Sequence, residues 1–431
     1  MTGETSEKQA ETSPPITVVI GLGYVGLPLA VENTLAGMKT IGIDVDSAKV
    51  RKISTGDSPS EDVSKGRLEN ALRLGLEVTV DFEKVAAADV VVICVPTPLG
   101  ETGNPDLTYV VSATQMIAPH LKPGVLVVLE STSYPGTTEE VVMPIIQRYL
   151  PALDDDFFLA FSPERIDPGN ADFSVPNTPR VVGGASTQSA DKAKRFYEAF
   201  VSNVVVLSGT REAEMAKLIE NTYRHVNIAL VNELAMVCHE LGIDVWEAIR
   251  GAATKPFGYQ KFTPGVGVGG HCIPIDPMYL DNRVKAKLGY GLEFIGLAQK
   301  INDSMPHYVA GRVVDIVDNQ PALGNRRVML MGVTYKADVA DTRETPARQL
   351  AKSLIGAGLD VRFHDPHVQE FRLEDGVRIA RENDWEMELA NYSVAVLLQP
   401  HQEYLKNPEK WQDANLFDCT GRLTKIARFV L

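Results

Sequence analysis

The sequence predicts an α/β chain, with two doubly wound, parallel-sheet domains joined by a central helical domain with one long helix. Three observations predict it. Continuous apolar strands alternate with helical segments from residue 16 onward, which indicates a parallel sheet covered on both faces. A breaker-free helical stretch then runs from Thr210 to Gly242. Finally, the opening plan of strand, loop, helix and strand ending in aspartate returns near Arg326 and closes at Asp365. At 431 residues the chain is too long for one ordinary core. The expected divisions are a disordered tail at 1–15, a first α/β domain at 16–207, a central helical dimerisation domain at 208–320 and a second α/β domain at 321–431.

The tail, "MTGETSEKQAETSPP", is polar and acidic, without the basic start and apolar centre of a secretory signal. The β-branched run 16–20 reaches a glycine loop, an apolar helical pattern follows to about Ala36, and a second strand ends at Asp44. Further strands are expected in "ADVVVICVPTP", "GVLVVLEST" and "FFLAFSP", with helices in "EDVSKGRLENALRLG" and "TEEVVMPIIQRYL". Thr210 is a candidate N-cap and Gly242 a C-terminal stop for a helix roughly 45 Å long. More helix is expected around 287–317, then strands in "YSVAVLLQP" and "ANLFDCTG".

A composition 44% apolar and 23% charged is that of a globular protein, and no apolar run is long enough to span a membrane. The net charge of −14 argues against nucleic acid as a partner. Four cysteines, Cys94, Cys238, Cys272 and Cys419, lack metal-type spacing, and with no signal sequence they point to the cytoplasm. Cys94, Cys419 and Cys238 read as buried packing residues.

"GLGYVG" sets Gly21, Gly23 and Gly26 in G-x-G-x-x-G around Tyr24 and Val25, after a strand and opening a helix. Asp44 follows eighteen residues later. Such glycines permit a tight turn and close approach of a pyrophosphate to a helix N-terminus, and the aspartate binds both hydroxyls of a ribose. A carboxylate there repels the extra phosphate of NADP, so the reading is a Rossmann-like domain for NAD. Thr97, in "VPTP" at a strand end, is a candidate cofactor contact, with a plain turn nearly as good an account.

Lys217 and Asn221 stand four residues apart on the long helix and share a face. The amides and imidazole around them (Asn221, His225, Asn227, Asn232) are unusual in a helix interior, as if spent on a site or an interface. In "FSPERIDPGN", Glu164 points from a strand end, and Arg165 either neutralises it in a structural salt bridge or binds an anion. "TPGVGVGGHCIPIDP" puts Cys272 on a shaped, glycine-rich loop: a nucleophile, a metal ligand or a small residue in a tight turn. Zinc needs three or four ligands, whereas adjacent His271 diverges from Cys272 and no second pair is near, so no metal is expected. A reactive thiol needs help to ionise, which loop N–H groups and a lysine supply; Asp276, four residues on, suits a base or a water-orienting group.

These motifs resemble one family in order and in detail. "GLGYVGLPLA", "FSPERIDPGN", "AKLIENTYRHVNIALVNELA", "GGHCIPIDP" and "GVTYKADVADTRETPA" are similar to the motifs of the UDP-glucose/GDP-mannose dehydrogenase superfamily, the nucleotide-sugar 6-dehydrogenases. The resemblance implies a four-electron oxidation of a sugar C6 hydroxymethyl by NAD, through a cysteine thiohemiacetal and thioester. It implies Cys272 as nucleophile, Lys217 and Asn221 as oxyanion donors, and Asp276 supporting water or proton transfers. Glu164 is then base and substrate contact, and Thr132 in "ESTSYPG" holds the water. Arg165 joins the substrate contacts, Gly265 and Gly269 wrap the sugar, and Lys336 and Arg343 reach ligand phosphates or the cofactor junction. It also implies a C-terminal nucleotide-sugar domain and a homodimer or higher homo-oligomer. "TKPFGYQKFTPG" with His271 and "IPIDP" resembles the UDP-N-acetylhexosamine branch, UDP-N-acetylglucosamine above all, although Val266 stands where that branch commonly has proline. UDP-glucose, dTDP-glucose and UDP-N-acetylmannosamine are the alternatives. Outside this family, a two-electron 2-hydroxyacid-type dehydrogenase and a non-enzymatic nucleotide sensor fit less of the chain.

Overall fold

The computed structural model describes residues 14–59, 63–100, 103–166, 172–270, 272–319, 325–412 and 414–431. The expected tail up to residue 13, His271 and the last four residues of "FSPERIDPGN" lie outside the described residues. The chain divides into two compact units, one of residues 1–100 and 105–217, the other of 101–104 and 218–431.

The first unit is built on an eight-stranded sheet. Its strands are β1 (Ile16–Ile20), β2 (Lys39–Ile43), β3 (Glu77–Thr79), β4 (Val90–Ile93), β5 (Val125–Leu129), β6 (Phe157–Phe161), β7 (Arg180–Gly184) and β8 (Val204–Leu207). They lie in the order β3-β2-β1-β4-β5-β6-β7-β8. All pairs are parallel except β6 with β7. The antiparallel pair is one departure from the expected parallel sheet. Helices α1 (Gly26–Leu35), α2 (Ser47–Ser54), α3 (Lys65–Arg73), α4 (Thr108–Ile117), α5 (Met143–Ile146) and α6 (Thr187–Glu198) connect the strands.

Both faces of the central strands are dry, because alternate strand residues feed two separate cores. Val19, Val92 and Val128 pack in one; Val18, Val91 and Val127 pack in the other. Each such side chain contributes about 1.5–3 kcal/mol on burial. The strand order reverses between β1 and β4, and in such sheets ligands bind beyond the carboxyl ends of the strands at that point.

The long helix α7 (Thr210–Glu240) has 31 residues. It starts in the first unit and passes into the second after Lys217. Its beginning corrects the expected cap. Thr210 is already helical, and its hydroxyl donates to Glu139 Oε1 at 2.7 Å instead of accepting from the first turn. Its end is as expected: Gly242 is left-handed (φ +68°), and Ile243 N–H closes back onto Cys238 O at 2.8 Å.

The second unit continues with α8 (Val245–Ala252), α9 (Asp276–Leu288), α10 (Glu293–Asp318) and α11 (Pro346–Gly356). The helix expected around 287–317 is broken at Gly289, which caps α9 in the left-handed region (φ +80°). A seven-stranded sheet follows: β9 (Arg327–Met331), β10 (Asp360–His364), β11 (Phe371–Arg372), β12 (Arg378–Arg381), β13 (Val394–Leu397), β14 (Leu416–Asp418) and β15 (Phe429–Val430). Their order is β11-β12-β10-β9-β13-β14-β15. One core joins this sheet to the helices, with Trp246 and Val309 packed together with Leu330 and Leu350.

The repeated plan extends to individual hydrogen bonds. Asp44, just after β2, accepts from Leu22 N at 2.8 Å and Asp46 N at 2.9 Å. Asp365, just after β10, accepts from Val333 N at 2.7 Å and His367 N at 2.8 Å. In each sheet a buried aspartate ties the loop after the first strand to the end of the second. Cys94 and Cys419 are buried as expected, whereas Cys238 is only partly buried. Among the described residues, no helix is long and apolar enough to cross a membrane.

Candidate active site

In the first unit the expected cofactor residues lie at the carboxyl ends of neighbouring strands. The loop after β1 turns at Gly21, which has φ +90° and whose added Cβ would stand 2.6 Å from the Cys94 carbonyl oxygen. An added Cβ on Gly26 would sit 1.8 Å from Gly21 O, so the third glycine is what lets α1 start against the loop. Gly23 has open space where a Cβ would point. Tyr24 is exposed, and Val25 leads into α1 without a side-chain cap. A bare backbone face at a helix N-terminus is the cradle that a pyrophosphate needs. Asp44 lies at the end of β2 with 6% exposure. It also takes Lys49 Nζ at 2.8 Å, a partner that sequence reading missed. Three donors leave one of its roughly four lone-pair sites for a ribose hydroxyl. The residues present thus fit NAD. Thr97 is buried beyond β4, and Thr132 is half-buried just beyond β5.

Glu164 follows β6 and is 8% exposed. Its neighbour Arg165 does not neutralise it: that guanidinium donates to Pro179 O at 2.7 Å. The cation facing Glu164 is Arg180, which enters from β7 with Nη1 at 3.5 Å from Glu164 Oε2. This corrects the expected pair, and the reason is topological. Adjacent residues at a strand end project to different sides, whereas β7 runs antiparallel beside β6 and delivers Arg180 from the next strand. Lys217, 6% exposed, donates its ammonium to the Glu164 carbonyl oxygen at 2.5 Å. One turn earlier on α7, buried Glu214 accepts from Gly136 N at 2.5 Å and from Thr138 N and Oγ1 at 2.9 and 2.8 Å. It thereby pins the loop that follows Thr132. Burial pushes the Glu214 carboxyl up to about 7 against the pull of those donors.

In the second unit the glycine loop and α9 carry the other expected residues. Cys272 is exposed, at the turn that enters α9. Its carbonyl accepts from Asp276 N at 2.8 Å. The Asp276 side chain, 4% exposed, accepts from Asn221 Nδ2 at 2.5 Å. Arg224 donates to the other end of the same amide, so Asn221 is held from both sides. Lys217 and Asn221, one turn apart on α7, are thus both buried and both engaged at named acceptors. Of the other polar residues on that helix, Asn232 bonds Asn302 at 2.9 Å and holds Gly265 N at 2.9 Å. His225 faces Asn302, and burial lowers its pKa to about 4. Asn227 departs from the expectation, turning back to its own helix at Tyr223 O.

Gly265 and Gly269 line a cavity of about 150 Å³ together with Gly267, Tyr335, Thr345 and Gln399. A Cβ on Gly269 would stand 2.9 Å from the Cβ of Tyr335, and one on Gly270 would strike its ring at 2.8 Å. Those glycines let the loop lie flat on Tyr335. Lys336 is half-buried beside it. Arg343 is held by a bidentate contact with Asp341, 2.6 Å at Nη2, and its carbonyl accepts from Gly270 N at 3.2 Å.

Among the described residues, one group offers three metal-type ligands: Asp338, His367 and His401. His401 Nδ1 already accepts from Asp338 N at 2.8 Å, and its Nε2 faces Asp365 at 3.2 Å. Both ring nitrogens of His401 are thus already engaged within the protein.

Three stretches of the chain match domains of one family. Residues 16–201 match the NAD binding domain of the UDP-glucose/GDP-mannose dehydrogenase family, 211–304 its central domain and 329–424 its UDP binding domain. The chain is 38% identical over 407 residues to a UDP-N-acetyl-D-mannosamine dehydrogenase of Methanocaldococcus jannaschii, covering 92% of this chain and 88% of that one. It is 36% identical over 355 residues to a UDP-N-acetyl-D-glucosamine 6-dehydrogenase of Pseudomonas aeruginosa, covering 81% and 82%. Its structure is similar to that of a UDP-D-ManNAc dehydrogenase from Pyrococcus horikoshii, with a TM-score of 0.86, 31% identity and coverage of 96% and 98%. With three domain matches in order and the glycine cradle intact, the chain belongs to the UDP-glucose/GDP-mannose dehydrogenase family and is an NAD-dependent oxidoreductase.

Proposed function

We propose that this protein oxidises the C6 hydroxymethyl of a UDP-N-acetylhexosamine, UDP-N-acetylglucosamine in the first place, to the uronic acid in two successive two-electron steps. The observation that carries the reading is Cys272, an exposed thiol on the glycine loop at the entrance of α9, backed by the buried Asp276–Asn221 pair. Bound NAD supplies the electron acceptor. The thiolate of Cys272 adds to the aldehyde carbonyl, giving a thiohemiacetal whose oxygen Lys217 and Asn221 stabilise as donors. After the second oxidation a thioester links the sugar to Cys272. Water, held by Thr132 and Asp276 and deprotonated by Glu164, breaks that bond and releases acid and thiolate. Gly265, Gly269, Arg165 and Lys336 hold the nucleotide sugar, and Arg343 closes the phosphate contacts.

The relatives' names favour one variation. Several of the similar proteins, at 35–38% identity, are UDP-N-acetyl-D-mannosamine dehydrogenases, so the C2 epimer is the second substrate to test. Incubation with UDP-N-acetylglucosamine, UDP-N-acetylmannosamine, UDP-glucose and dTDP-glucose is expected to release two NADH per sugar with an acetamido donor. One NADH per sugar, or preference for the donors without the acetamido group, would count against the proposal.

The same reading makes the chain a homodimer or a higher homo-oligomer through α7. Ile219, Tyr223, Leu230, Leu234, Val237 and Leu241 are each 45–67% exposed and recur at helical spacing. Light scattering is expected to give at least twice the 47.0 kDa of one chain. A particle at the single-chain mass at micromolar concentration would refute it.

A further inference from the structure

Beneath the Glu164 turn lies a cluster of ionisable groups that the reaction above leaves without a task. Five elements contribute: Cys94 after β4, Glu130 after β5, Glu164 after β6, Arg180 on β7 and Tyr197 on α6. Arg180 is the hub. Its Nη2 donates to Glu130 Oε1 at 2.6 Å, while Nη1 faces the Pro163 carbonyl and Glu164 Oε2, both at 3.5 Å. The guanidinium carbon lies 4.7 Å from the centroid of the Tyr197 ring. The Tyr197 hydroxyl donates to the same Glu130 oxygen at 2.5 Å, and Cys94 Sγ stands 4.0 Å from Glu130 Oε2. Side-chain exposure is 0% for Glu130, 6% for Arg180 and 10% for Glu164.

Two carboxylates and one guanidinium share a site from which water is largely shut out. One cation cannot neutralise both carboxylates, so its contact with Glu130 competes with its contact with Glu164. The distances show the outcome, with Glu130 at 2.6 Å and Glu164 at the longer 3.5 Å. We propose that the Glu130–Arg180 pair is a positioning device for Glu164. Glu130 holds the guanidinium back, so that Arg180 steers the Glu164 carboxylate from 3.5 Å without closing on it as tightly as on Glu130.

The device reaches the second catalytic candidate as well. Arg180 faces the Pro163 carbonyl, and the next carbonyl along the chain, that of Glu164, takes the Lys217 ammonium. Among the described residues, the charged and titratable groups around Glu164 are thus Arg180 from β7, Glu130 from the end of β5, Cys94 from the end of β4, Tyr197 from α6 and Lys217 from α7. Ile166 N donates to the Glu164 carboxylate from its own turn. Burial raises the pKa of both Cys94 and Tyr197, so these two stay neutral, and it also lifts the Glu130 carboxyl to about 7, so the charge of Glu130 depends on the Arg180 guanidinium that pulls it back down.

The inference rests on Glu164 being the base, and its test separates the two. The pH dependence of kcat/KM is measured for the parent, Glu130→Gln, Arg180→Lys and the double variant Glu130→Gln/Arg180→Met, with NAD binding and near-ultraviolet circular dichroism as checks of folding. Glu130→Gln frees Arg180 to close on Glu164, which strengthens the ionised form and moves the acid limb to lower pH. The double variant removes the cation without stranding a second buried anion, and its limb moves the other way. The two limbs are expected to part by at least about one pH unit, with the parent between them. Arg180→Lys, which keeps a cation there, should bring the limb back toward the parent.

Glu164→Gln supplies the control. If it retains the parental limb and rate, the base assignment is wrong. If it abolishes the limb while Glu130→Gln and the double variant stay superimposed on the parent, Glu164 is the base and the positioning role is refuted. A cluster that only held the fold together would lower rate and melting temperature together in every variant, without displacing the limb. Should the double variant not fold, Glu130→Gln alone must still move the limb downward.

Discussion

Cys272→Ser is expected to lower the rate of uronic acid formation by at least about a thousandfold while leaving a slow release of the first NADH. A serine hydroxyl fills nearly the same space but ionises far less readily than a thiol whose ordinary pKa is about 8.5. The alcohol is therefore still oxidised to the aldehyde, but the carbonyl is not captured and the second oxidation stalls. Because Cys272 is exposed on a turn, the substitution should leave stability within about 0.5 kcal/mol. Stopped-flow NADH absorbance with product analysis reads both steps. Two NADH per sugar at the parental rate would remove Cys272 from the chemistry and return it to the role of a small residue in a tight turn.

Lys217→Met is the second large effect expected. The ammonium is 6% exposed and rests on the Glu164 carbonyl, so its charge acts where little water screens it. Loss of one such donor costs about a hundredfold to a thousandfold in kcat, or about 3–4 kcal/mol of transition-state stabilisation. Methionine has a similar length and removes the cost of burying a charge, so thermal stability should change little. Lys217→Arg should not restore the rate, because a planar guanidinium does not replace a compact ammonium in a packed site. Steady-state rates with saturating NAD and sugar check this, and a kcat within about threefold of the parent would set the assignment aside.

Much of the architecture was legible from the order of residues. The strand at 16–20, the glycine loop, Asp44, the breaker-free stretch to Gly242 and the return of the plan near Arg326 all fell where the structure has them. These are local signals. Strands buried on both faces must be apolar throughout, a left-handed helix end selects glycine, and an amphipathic or buried helix shows its period within a few turns. The repeat was visible as a plan, and its atomic basis is the matched pair Asp44 and Asp365, each bonding the loop after a neighbouring strand.

What was misread involved partners distant in sequence. Arg165 stood beside Glu164 in the sequence and was the natural candidate for its counter-ion, yet Arg180 occupies that place. Thr210 had the residue type of a helix cap, yet Glu139 from another segment takes its hydroxyl. Glu130, Glu214 and Tyr197 were passed over altogether. A signal was present for Glu130, an ionisable side chain directly after the apolar strand β5, whereas Glu214 and Tyr197 stand in charge-rich helical stretches that do not mark them.

By itself, then, the sequence determined the fold class, the cofactor and the family, because glycine conformations, apolar periodicity and motif order are properties of neighbouring residues. Only the tertiary structure decided which charges face which, because a buried ion pair joins residues tens of positions apart. Burial makes such a pair strong, and it is created by the packing of strands that no single segment specifies.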